Sequence, residues 1–99
     1  MKSSKNRYQV VVVLSPKMKD KNREILLDKV RMEIEKEGVK MKKREGLGLK
    51  NLSYTIAGFD QGDFWIFEVC GKDGIKLDKV NVFLNRETDI IRYLILKVF

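Results

Sequence analysis

Ninety-nine residues supply one domain and leave no room for a second, and a lone cysteine, Cys70, excludes an internal disulfide framework. With 21 Lys and Arg against 14 Asp and Glu, a formal net charge of +7 and no histidine, the chain lacks the usual residues of metal sites and nucleophilic triads and suits a polyanionic partner. Hydrophobic residues make up 43% and charged residues 35%, above the usual ~25%, so a small core lies under a heavily charged coat.

Residues 1–6, MKSSKN, are basic without the apolar run of a signal peptide and read as a flexible tail. No stretch is long and apolar enough to span a bilayer, and neither helix below carries the large apolar anchors of a membrane-surface helix. The expectation is a cytoplasmic protein without a membrane partner.

Residues 8–14, YQVVVVL, are apolar at both parities, as in a strand covered on both faces, and Ser15-Pro16 ends the run. Leu26, Leu27, Val30 and Ile34 recur at helical spacing among charges, and Gly38 follows as a C-terminal stop. Residues 39–44 open a strand whose Lys40, Lys42 and Lys43 mark a sheet edge. Apolar positions then shift from Leu47 and Leu49 to Leu52, Tyr54 and Ile56, which predicts a bulge near Lys50 and Asn51. A turn over 57–62 leads to an aromatic strand, 64–69, FWIFEV. Gly71-Lys72-Asp73-Gly74 reads as a loop with Asp73 as a cap. Leu77, Val80 and Leu84 set a second helix over 74–85, and 90–99, IIRYLILKVF, is the last strand.

Strand, helix, strand, strand, helix, strand is the order of an α+β fold of the ferredoxin-like split βαβ kind (βαββαβ). It predicts a four-stranded antiparallel sheet with two helices on one face and the first and third strands in the centre, a single domain over 1–99. The opposite face has no helix over it. On parity it presents Val11, Val13, Phe64, Ile66, Leu94 and Leu96, with Arg92 beside them, and so much open apolar surface predicts a protein partner.

Basic residues from separate segments flank that face: Lys5 and Arg7 before the first strand, Lys42, Lys43, Arg44 and Lys50 in the hairpin, Arg92 and Lys97 in the last strand. They are candidates for phosphate contact, which fixes position and does not read sequence. Enzymatic chemistry finds no support: Cys70 has no readable base, and Glu33, Glu35 and Glu37 fit a solvated helix. Gly46-Leu47-Gly48 and Gly71-Lys72-Asp73-Gly74 have the spacing of nucleotide and RNA loops but not the context.

Residues 61–67, QGDFWIF, are loosely similar to the first RNP motif of RNA recognition modules, which share this element order; the alternative function is therefore a free single-stranded RNA-binding module. The leading basic residue is absent, and Asp63 stands where an aromatic is wanted.

A second resemblance is broader. Gly48-x-Lys50-x-Leu52-Ser53-Tyr54-x-Ile56, a short loop ending Gln61-Gly62, the aromatic strand, Arg7-Tyr8 before the valines and Gly38 after the first helix together resemble the bacterial small-subunit ribosomal protein six family over about 7–98. The resemblance implies a structural, non-enzymatic ribosomal protein without cofactor, metal or small-molecule substrate. It further implies binding to the central domain of small-subunit ribosomal RNA together with ribosomal protein eighteen of the same subunit. RNA contact is implied for Arg7, Lys50, Arg92 and Lys97, while Tyr8 and Tyr54 are RNA contacts or packing residues. Asn51 and Thr55 depart from the family's basic residue and proline, which bears on RNA contact or on the bend, and the chain stops at Phe99 without the tail that many members carry, which leaves open any partner contact made by that tail.

Overall fold

Val10, Val12 and Leu14 point to one side of the first strand and are wholly withdrawn from water, which requires a layer above them and orders the rest of the structure. The computed structural model describes residues 6–56, 58–71 and 77–97. The elements run β1 (Asn6–Leu14), α1 (Asp20–Glu35), β2 (Lys40–Ile56), β3 (Phe59–Gly71), α2 (Asp78–Arg86) and β4 (Ile90–Lys97). The strands form one sheet of order β2-β3-β1-β4, and each neighbouring pair is antiparallel. This is the split βαβ arrangement, with the two most buried strands in the centre.

α1 covers the sheet with Leu26, Leu27, Val30 and Ile34, and α2 adds Val80 and Leu84 beside Phe67 and Val69 of β3. Burying each such side chain contributes about 1.5–3 kcal/mol relative to exposure. Beyond α1, the backbone N–H of Gly38 donates to the carbonyl of Glu35 at 3.1 Å, and Gly38 has φ +87°, the left-handed region that a glycine enters without strain. α2 is tied to β4 where the Tyr93 hydroxyl donates to the carbonyl of Asn81 at 3.4 Å.

Several boundaries differ from the sequence expectation. β1 starts at Asn6, opposite Gly71, so the strand takes in the last residue of the expected tail. β3 starts at Phe59, because the hairpin strands pair again at Ile56 and Phe59, ahead of the expected start at Phe64. α2 starts at Asp78, and the expected Asp73 cap, like Lys5, lies outside the described residues.

The expected bulge near Lys50 and Asn51 lies immediately past Asn51, where the ladder loses register until Ile56, and two further slips precede it. Lys50 and Asn51 pair in regular register with Gly62 and Gln61, while the ladder slips at Lys42 and again at Leu47, ahead of Gly48 with φ +83°. The apolar shift from Leu49 to Leu52 is a change of sheet face. Leu49 pairs with Asp63 on the helix side, whereas Leu52 lies over Gly62 on the open side. From Leu52 to Thr55 β2 arches out of the ladder, four residues against Asp60 alone. At roughly 3.3 Å per residue a straight 17-residue strand would exceed 50 Å, so this bending fits β2 into a molecule 46 Å long.

Candidate functional site

The open face is built by odd-numbered residues of β1 and even-numbered residues of β3 and β4. Val11 lies opposite Ile66 and Leu94, and Val13 opposite Phe64 and Arg92, so the strand register gathers the expected apolar set on one surface. Leu94 and Leu96 are 53% and 41% exposed, Val11, Phe64 and Ile66 are half-buried, and no helix covers them. Val13 departs from the expectation of a free surface residue: it is only 4% exposed. Gly62 packs against it with no space for a Cβ, and the β2 arch closes over it.

That arch and the sheet enclose a groove of about 360 Å³, lined mainly by Val11, Val13, Leu52, Ile56, Phe64 and Leu94. At its rim the guanidinium of Arg92 donates from Nη1 to the hydroxyl of Tyr54 at 2.8 Å. Tyr54 is 62% exposed, so its ring rests on the rim and is not core packing. Within the hairpin, Thr55 donates to Asp60 at 3.1 Å and Gln61 to Asn51 at 3.1 Å, which hold the arch's own shape. Asn51 and Thr55, the two departures noted in the sequence, are thus spent on internal bonds.

The basic residues divide by face. Arg7 and Lys42 share a small cleft with Gln9 and Glu68, Lys43 lies opposite Glu68, and Lys50 lies opposite Gly62, all on the open side. Arg92 stands near the Lys50 end. The open face therefore has an apolar centre with basic groups at both ends. Arg44 and Lys97 are not part of it. Lys97 lies opposite Tyr8, which packs against the core on the helix side. Arg44 reaches back to Glu24 of α1 at 3.3 Å and covers the Trp65 ring with its guanidinium carbon 5.3 Å from the centroid.

Sequence reading missed a cluster on the helix side. Arg23 approaches the same Trp65 ring at 6.0 Å and pairs with Asp20 at 3.0 Å and buried Asp63 at 3.7 Å. The ring presses on Gly46, where a Cβ would come 2.9 Å from Trp65 Cη2. Its carboxylates offset both guanidiniums, so the cluster clamps the edge strand to α1 and does not present free charge. Of Gly46 and Gly48 only Gly46 takes part, and the Gly46-x-Gly48 spacing read in the sequence does not point to the ring.

Among the described residues no group of three or more His, Cys, Asp or Glu side chains could hold a metal ion, and no helix is long and apolar enough to cross a membrane.

The family model of ribosomal protein S6 matches residues 7–97. Small ribosomal subunit protein bS6 of Fusobacterium nucleatum is 28% identical over 92% of this chain and 96% of its own length, and that of Bacteroides thetaiotaomicron 28% over 94% and 81%. The crystal structure of 30S ribosomal protein S6 from Thermotoga maritima matches the fold with a TM-score of 0.88 at 24% identity, covering 96% of this chain and 89% of that one.

Proposed function

Because the chain belongs to the ribosomal protein S6 family, we propose that it is a cytoplasmic structural constituent of the small ribosomal subunit. It binds the central domain of small-subunit ribosomal RNA jointly with ribosomal protein S18. The observation that carries this reading is the open face itself, an apolar centre between two basic ends. Apolar surface of that extent favours a protein partner, and the flanking Arg7, Lys42, Lys43 and Lys50 favour phosphate groups. Arg44 and Lys97 take no part on this face, being turned to the helix side.

The stacking surface of a free single-strand reader is less well supported. Phe64 is the one aromatic ring that β3 directs to the open face, and its neighbours on β1 and β3 there are Val11, Val13 and Ile66. Successive bases need successive rings.

Sedimentation of a native lysate tests the assignment. The protein is expected with the small subunit at low salt, and recovery only from the top of the gradient would contradict it.

A further inference from the structure

Building on the S18 pairing above, we infer that the groove under the β2 arch is a socket for one apolar side chain of the protein partner, held next to a partner carboxylate that accepts from Arg92. The groove's volume, about 360 Å³, lies in the range of small-ligand sites, roughly 300–1,000 Å³, and its walls are Val, Leu, Ile and Phe side chains. An apolar floor with one charged group at the rim is the anatomy of an interface anchor point. It is unsuited to a phosphate, which would lose its hydration against such walls.

Charge complementarity indicates the neighbouring acid. Among the described residues Arg92 has no carboxylate within ion-pair distance, and its bond goes to a neutral phenol, Tyr54. A carboxylate is the stronger acceptor for a guanidinium, so docking exchanges the Arg92–Tyr54 bond for a charge-assisted one. Tyr54 therefore parks Arg92 at the rim while the socket is empty.

The test is an amide NMR titration of the full chain with N-acetyl-Leu-Asp-amide, with N-acetyl-Leu-Lys-amide and adenosine monophosphate as comparisons and purified S18 titrated separately. The aspartyl dipeptide is expected to shift the amides of Val11, Val13, Ser53, Phe64 and Leu94 and to bind more tightly than the lysyl one. Arg92→Gln should weaken the aspartyl dipeptide about fivefold, the scale of an exposed ion pair, with Tyr54→Phe leaving it equal or tighter. Equal binding of both dipeptides, no groove shifts, or stronger shifts with adenosine monophosphate would overturn the socket. S18 binding with a silent groove would leave the pairing standing and remove the socket, whereas no S18 binding would remove both.

Discussion

Gly62 is where single atoms decide the packing of the open face. A Cβ there meets Val13, which belongs to a central strand and cannot retreat far. Gly62→Ala is expected to destabilise the fold by about 1–3 kcal/mol, the usual consequence of overpacking, read as a lower urea midpoint at unchanged slope. Wild-type stability in Gly62→Ala would contradict the closeness of arch and sheet. Phe67 presents the opposite situation, a fully buried ring at the centre of the core. Phe67→Ala should lose about 3–5 kcal/mol through the cavity it leaves, and the same unfolding measurement checks it. Arg92→Gln is expected to leave stability within about 0.5 kcal/mol, as an exposed substitution does. A large loss would mean that the bond to Tyr54 supports the fold.

At the scale of elements, the hairpin of β2 and β3 makes the surface, and its bends are set at named positions. Gly48 holds φ +83° just after the slip at Leu47. Gly48→Ala should therefore lose about 1–2 kcal/mol from the left-handed backbone alone, since nothing lies near enough to a new Cβ to add a clash. Thermal melts of Gly48→Ala check this. The element order was legible in the sequence because each element announces itself locally: the valines of β1, the spacing of Leu26, Leu27, Val30 and Ile34, the aromatics of β3. The faces of β1, β3 and β4 followed from parity. β2 was legible only in part: the irregularity past Asn51 was marked by the apolar shift from Leu49 on the helix side to Leu52 on the open side, whereas the slips at Lys42 and Leu47 leave no such mark in the sequence. The side taken by Arg44 was hidden, since it depends on the register of the bulged edge strand, whereas Lys97 falls to the helix side by the same parity that turns Leu94 and Leu96 outward. The clamp of Arg23 and Arg44 on Trp65 joins three elements, and no local pattern announces such a site.

For the whole molecule, the proposed joint surface divides the work between burial and charge. Its apolar centre, with Leu94 and Leu96 still in water, should contribute affinity for a protein, while Arg7, Lys42, Lys43 and Lys50 contribute a salt-dependent affinity for RNA. At about 0.9 per neutralised phosphate on the duplex scale, four contacts give a slope of log K against log salt near −3.6. Lys42→Gln should reduce the slope by about 1 and weaken binding alike for all sequences, because contacts of this kind position the RNA without reading it.

The most direct measurement is binding of the purified chain to small-subunit central-domain RNA across a salt series, with and without S18. The joint-surface account predicts tight, salt-dependent binding that requires S18. Equal binding to an unstructured RNA, indifferent to S18, would contradict it and identify a general single-strand RNA binder.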